Sequence, residues 1–349
     1  MENLNKSIYV FRTGNLGDSL VVIPALQEIY DIYRTSIILI TSEERNYVNT
    51  WSVLKYTRFF KNFIVYNTKK PLIMFSIIKN IKKDKNKKIL YYLCEKRSIF
   101  QVFRDYIFFK MCGFSKIYGL SEAIHRNNVM KSKKQIILES EYLYYLKFIK
   151  SIHNETNQCL KIKVPLLNIP KRVNLKINKL ICDLVLKDKK LFAIGFGSKM
   201  LAKRWPIENY KELIKKVESV NDDICFVLFG DKNEYEEGEQ IKLVNPRKII
   251  NMSGKTSVIE SADFLSKCNL LISNDTGVMH LGASMGVKTI AIFSSREIEG
   301  KWYPVGEDNI IFRKNIECNN CMLDVCPKNN LCLKMINVDE VFEVVKRFI

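Results

Sequence analysis

A chain of 349 residues with 47% hydrophobic and 27% charged side chains can bury two cores without disulfides or a metal to hold them, which excludes the disordered and disulfide-scaffold classes. Fifty-six Lys and Arg against 37 Asp and Glu give a formal net charge of +19, so nucleic acid, an anionic membrane surface and phosphorylated substrates all come into view as partners. Lysine, isoleucine and asparagine are abundant throughout, and the basic excess is spread along the chain, with local density at 79–88 and 131–134.

In chain order, residues 1–6 are polar rather than a secretory leader. Residues 7–11 (SIYVF) read as a buried strand, 18–33 as a helix and 36–40 (SIILI) as the next strand. Residues 88–93 follow as a strand, with helices near 98–111 and 139–151. Pro165 and Pro170 interrupt the pattern and place a linker near 164–175. Beyond it, strands are expected at 191–195, 224–229, 248–251, 270–273 and 289–293. Helices are expected near 207–220, 234–244, 258–267 and 277–285. Such alternation predicts parallel sheets with helices on both faces, in two doubly wound Rossmann-like α/β domains. The expected divisions are 1–168, 169–335 and a C-terminal helix, 336–349, packing back across the domains. No run reaches the ~18 apolar residues of a membrane span. The expected location is therefore the cytoplasm, with the 10 cysteines reduced.

Three segments carry chemistry. Residues 12–19 (RTGNLGDS) follow the first strand, where ligands of open α/β sheets bind. Gly14 and Gly17 permit a tight turn and close approach to backbone. Asp18 and Ser19 stand at a helix start, so Asp18 is either a cap or a site carboxylate. The third glycine of a nicotinamide fingerprint and the Gly-Lys-Ser/Thr of a Walker loop are both absent. Residues 270–280 (LLISNDTGVMH) run from an apolar strand into a helix whose unpaired amides and partial positive charge suit phosphate. Gly277 leaves the first turn open, and His280 lies one turn on along the same face, able to donate to the same anion. The alternative reads Asp275 or Thr276 as a cap and His280 as an ordinary surface histidine. Residues 194–206 (IGFGSKMLAKRWP) hold a third turn at Gly197 and Ser198, from which Lys203 or Arg204 could reach a diphosphate.

Together the three segments resemble the ADP-heptose:lipopolysaccharide heptosyltransferase family, glycosyltransferase family 9. The matching patterns are Gly14 to Asp18 followed by Val21, Val22, Ile23 and Pro24; the Ala202-Lys203-Arg204-Trp205-Pro206 run; and Asn274 to Leu281, continuing through Gly286 to Thr289. The resemblance implies a GT-B fold, two Rossmann-like domains facing across a cleft. The N-terminal domain would take the acceptor and the C-terminal domain the nucleotide-sugar. It implies an inverting reaction that needs no cofactor and no divalent metal. Asp18 would act as general base, with Gly14, Asn15, Gly17 and Ser19 on the acceptor side. Lys203, Ser198, the amides at Thr276 and Gly277, and His280 would meet the charge on the departing diphosphate. Asp275 would hold donor sugar hydroxyls and Glu234 the ribose. The implied partners are ADP-heptose, an anionic glycolipid acceptor and the inner membrane surface. Val278 and Gly282 depart from many relatives, which leaves the donor's identity open, and Asn15 and Ser19 differ among relatives, so acceptor choice does not carry over.

Cys318, Cys321, Cys326 and Cys332 are spaced closely enough to bind one structural zinc through four thiolates. Free buried thiols are the alternative. Two other functions compete with heptosyl transfer. One is the same fold with another nucleotide-sugar and a capsule, glycan or protein acceptor. The other is a basic nucleic-acid-binding protein, for which aromatic RNA-binding motifs and a clustered basic face are missing.

Overall fold

A computed structural model describes residues 6–42, 48, 50–94, 97–131, 137–154 and 160–349. The chain divides into two compact units, one from the described residues of 1–134 and 141–160, the other from those of 135–140 and 161–349. The first runs β1 (Lys6–Phe11), α1 (Leu16–Leu20), α2 (Ile23–Tyr33), β2 (Ile37–Ser42), α3 (Thr50–Leu54), β3 (Phe60–Tyr66), α4 (Pro71–Lys83), β4 (Lys87–Tyr92), α5 (Ile99–Met111), β5 (Lys116–Tyr118), α6 (Leu120–Lys131) and α7 (Glu141–Ile152). The second runs α8 (Lys171–Asp183), β6 (Lys190–Gly195), α9 (Ile207–Val220), β7 (Ile224–Leu228), α10 (Tyr235–Lys242), β8 (Ile249–Asn251), α11 (Val258–Leu265), β9 (Leu270–Asn274), α12 (Gly277–Ser284), β10 (Thr289–Phe293), β11 (Ile310–Arg313), α13 (Leu331–Lys334) and α14 (Val338–Val345).

Each unit is built on one parallel sheet, ordered β3-β2-β1-β4-β5 in the first and β11-β10-β9-β6-β7-β8 in the second. Ile8 to Phe11 are all buried, as a central strand covered on both faces requires. The strand order reverses between β1 and β4, and again between β6 and β9. A crevice opens outside the carboxyl ends of the strands at such reversals. The glycine turn at 12–19 follows β1. The segments at 194–206 and 270–280 follow β6 and β9. The fold thus delivers all three chemistry-bearing stretches to the switch points.

The helix expected over 18–33 is two helices. Pro24 has no amide to donate back to residue 20, so the first helix ends at Leu20 and the second starts with Pro24 in its first turn. The expected linker at 164–175 is shorter than supposed, because α8 begins at Lys171, and the unit boundary falls at 160/161 rather than 168/169. Its Val173, Ile177 and Ile181 repeat at the helical spacing and are buried. The C-terminal helix packs within the second unit. Val338, Val341 and Val345 of α14 share one core with Tyr210, Leu213 and Val217 of α9. The basic stretch at 131–134 lies, beyond residue 131, outside the described residues.

Val341 is fully buried. Val341→Ala removes two methyl groups from that core and is expected to cost about 2 kcal/mol, read as a lower urea midpoint with an unchanged slope.

Candidate functional site

In the first unit, β1 ends at Phe11, Arg12 follows, and the chain turns at Gly14. Gly14 has φ +142°, and a Cβ there would stand 2.4 Å from Asp18 Cβ. The missing side chain lets Asp18 fold back over the turn. Its Oδ2 accepts from the Asn15 amide at 2.9 Å, and its Oδ1 lies 3.7 Å from the Arg12 guanidinium. Arg12 is itself buried, donating to Asp18 O (2.8 Å), Leu93 O (2.7 Å) and Tyr145 Oη (2.9 Å). The capping and site readings of Asp18 are therefore compatible. The carboxylate closes the helix start, yet its side chain remains 28% exposed at the crevice. Asn15 is exposed and Gly17 half-buried beside it. Ser19 is a correction: it is fully buried and its hydroxyl donates to Asn15 O at 2.7 Å, so it faces inward rather than toward an acceptor.

In the second unit the turns after β6 and β9 are tied together by Asn274, which the sequence did not single out. Its Oδ1 accepts from the Trp205 amide (3.0 Å) and from Tyr210 Oη (2.9 Å), and its Nδ2 donates to Phe196 O. Thr276 caps α12, its hydroxyl accepting from the Val278 amide at 3.2 Å, and Gly277 is the first helical residue. Lys203 sits in a short helical turn, 201–203, with its side chain only 11% exposed. Its Nζ lies 2.6 Å from Asp275 Oδ2 and 3.6 Å from Glu297 Oε1. Burial pushes the Asp275 carboxyl above its ordinary range, opposed by the Lys203 ammonium. His280 is buried rather than a surface histidine. Burial, with the Lys203 charge added, pushes its pKa down to about 3, so the ring is neutral at pH 7 and carries a single N–H.

Arg204, the other candidate for a diphosphate, is committed elsewhere. It donates to Ser198 O (2.7 Å) and, through Nη1, to both Glu237 carboxylate oxygens (2.8 Å). It therefore shapes the loop that carries Ser198, whose own hydroxyl accepts from the Met200 amide at 3.3 Å. Glu234 is buried, and burial raises its carboxyl above the ordinary value. Its Oε2 accepts from the Asp231 amide at 2.8 Å, and its carboxyl fills the space that a Cβ on Gly197 would need. Two buried hydroxyls at the same edge, Ser253 after β8 and Ser294 after β10, have no hydrogen-bond partner among the described residues. No sequence pattern distinguished either one from other serines.

The four clustered cysteines do not converge. Among the described residues no group of three His, Cys, Asp or Glu is placed to hold a metal ion. Cys332 is buried in the second unit's core, its sulfur accepting from the Ser295 amide at 3.5 Å, while Cys318, Cys321 and Cys326 are partly exposed free thiols.

Residues 130–332 match the family model described as glycosyltransferase family 9 (heptosyltransferase). Over 215 residues the chain is 27% identical to lipooligosaccharide heptosyltransferase 2 of Campylobacter jejuni, a match that covers 60% of this chain and 64% of that relative's length. Among solved structures, Escherichia coli ADP-heptose LPS heptosyltransferase II superposes with a TM-score of 0.68 at 14% identity, covering 98% of each chain. A glycosyl transferase family 9 structure from Veillonella parvula gives 0.74 at 18% identity, covering 99% of this chain and 97% of the other. The likeness at this identity is one of fold: two parallel-sheet α/β domains of the GT-B kind.

A neutral buried His280 has two measurable consequences. Its ring resonances are expected not to titrate between pH 5 and 8, where an ordinary histidine changes charge. Its folded pKa lies below the ordinary histidine value of 6.5, so its stabilising contribution is complete above that value and is lost as pH falls from there toward about 3. His280→Gln should flatten the acid limb of a stability-versus-pH curve in that window.

Proposed function

We propose, since the chain belongs to glycosyltransferase family 9, that it is an inverting glycosyltransferase moving heptose from ADP-heptose to a lipopolysaccharide or lipooligosaccharide core. The observation that carries this reading is the Lys203–Asp275 pair at 2.6 Å, which holds an almost buried ammonium beside the start of α12 and His280. The relatives' names supply the donor and acceptor: E. coli ADP-heptose LPS heptosyltransferase II and the C. jejuni lipooligosaccharide enzyme.

A sugar hydroxyl is a poor nucleophile until its proton is removed, and Asp18 is the carboxylate presented at the first unit's crevice. As the acceptor oxygen bonds to the anomeric carbon, the proton passes to Asp18 and the bond to the diphosphate breaks on the opposite face. The configuration inverts. The leaving diphosphate gains negative charge, which the Lys203 ammonium, the free amides at Thr276 and Gly277 and the remaining N–H of His280 stabilise. Ser198 adds a hydroxyl at the same turn. Asp275 takes donor sugar hydroxyls and Glu234 the ribose. These protein groups stand in place of a divalent metal, and the acceptor's lipid brings the protein into peripheral contact with the membrane.

Asp18→Asn should lower kcat by about 10²–10⁴ with ADP affinity unchanged. Lys203→Ala should weaken ADP binding about 10–100-fold, and transfer should persist in EDTA. Thermal shift against ADP, UDP, GDP and their sugars tests the donor: a ligand at 100 times its Kd stabilises by about 2.7 kcal/mol. A preference for UDP or GDP would overturn the heptose donor and point to another glycan. No response to any nucleotide would overturn the donor site itself.

A further inference from the structure

α5 is apolar on both sides. Val102, Phe108 and Phe109 pack into the first unit's core, while Ile99, Phe100, Phe103 and Ile107 are exposed, Phe100 at 82%. A helix apolar all round is normally buried in a larger core or in lipid. α4 shares that core through Ile77 and Ile81 and turns Leu72 (85% exposed) and Phe75 (65% exposed) outward.

Both helices connect parallel strands, so each starts at the sheet's carboxyl edge. The most exposed apolar side chains lie in the N-terminal halves, Leu72 and Phe75 on α4 and Ile99, Phe100 and Phe103 on α5, while the less exposed Tyr106, Ile107 and Met111 lie farther along α5. The far end of α4 carries exposed Lys79, Lys82 and Lys83, within a stretch (79–88) of six lysines and one aspartate. The apolar end lies at the Asp18 turn, because Arg97, just before α5, donates to Thr13 Oγ1 at 2.9 Å. Asp105 fixes the helix from beneath, accepting from the hydroxyls of Tyr66 (2.5 Å) and Tyr92 (2.7 Å).

We infer that the outward faces of α4 and α5 are a docking surface for an anionic lipid bilayer. Each helix has 13 residues, too few for the roughly 20 that cross a bilayer. Among the described residues no helix is long and apolar enough to span one. An amphipathic pair of this kind lies in the interface, with aromatic and aliphatic side chains among the acyl chains and lysines against anionic headgroups. Charge favours this occupant over a second copy of the chain, since each copy would bring +19 and its own lysine cluster to the contact. The purpose of the surface rests on the proposed lipid-borne acceptor: docking there sets the Asp18 turn at headgroup level, where a lipid-anchored sugar begins.

The test is co-sedimentation of the full chain with vesicles of phosphatidylcholine alone or mixed with phosphatidylglycerol. We expect binding to the mixed vesicles that weakens with salt. It should drop at least about tenfold in Phe100→Glu/Phe103→Glu and in Lys79→Glu/Lys82→Glu/Lys83→Glu. All five side chains are exposed, and thermal stabilisation by ADP checks that each variant is folded. No binding to mixed vesicles, or binding unchanged in both variants, overturns the proposal. So does a wild-type dimer in light scattering that dissociates in the phenylalanine variant without any vesicle binding. Transfer to an acyl-free acceptor, run in parallel, should survive in both variants. Its absence in the wild type would fault the proposed function and leave the docking result standing.

Discussion

Asn274 makes three hydrogen bonds from one buried amide, to the Trp205 backbone, the Tyr210 hydroxyl and the Phe196 carbonyl. The second unit's site depends on them. Asn274 closes β9, Phe196 follows β6, and Trp205 leads into α9. A single side chain therefore sets the spacing of the two turns that flank the switch point. Trp205 is fixed from its other side by donating through Nε1 to Ile336 O at 2.9 Å, which ties the loop to the C-terminal segment. An unpaired amide at this depth would cost about 1–3 kcal/mol per lost partner, so the turns around Lys203 are held by these buried hydrogen bonds.

The first unit solves the same problem with a charge. Arg12 is buried and holds Asp18, Leu93 and Tyr145 in one network. A buried guanidinium needs partners on several sides, and Nε and Nη1 of this one donate to the turn, to the neighbouring strand's end and to α7. The Asp18 carboxylate is held beside this network, Oδ1 3.7 Å from the guanidinium and Oδ2 accepting from the Asn15 amide, an orientation that the proposed general base would need.

Much of this was legible in the residues. Short apolar runs separated by amphipathic stretches identify β1, β6, β7, β9 and β10, because covered strands of a parallel sheet must be apolar on both faces. Strands β3, β5 and β11 escaped notice: all three are sheet edges and only partly buried, so their apolar residues are not flanked by the pattern of a covered strand. Gly14, Asp18, Lys203, Thr276 and His280 stood out through their place in turns at strand ends, and the family resemblance supplied their expected roles. The sequence could not say that Ser19 turns inward, that Arg204 is held by Glu237, or that His280 is buried. The Arg204 pairing joins residues 33 apart in the chain, and the burial of Ser19 and His280 exists only once the fold covers their helices. Arg12 and Asn274 were within the motifs but look unremarkable there, since their roles exist only once several loops are brought to one point. The cysteine spacing suggested a ligand set that the fold spreads out, one thiol drawn into the core and three left outside it.

The Lys203 ammonium already has Asp275 and, farther off, Glu297 beside it. The pocket is electrically compensated before anything enters. A ligand gains there only by offering more negative charge, or better-placed oxygens, than the carboxylates it draws the ammonium away from. An uncharged nucleoside would find no attraction at this point, a monophosphate little, and a diphosphate a strong one. On the proposed reading, the spent nucleoside diphosphate keeps the oxygens that attract the ammonium after the sugar has left, and so competes with a fresh donor.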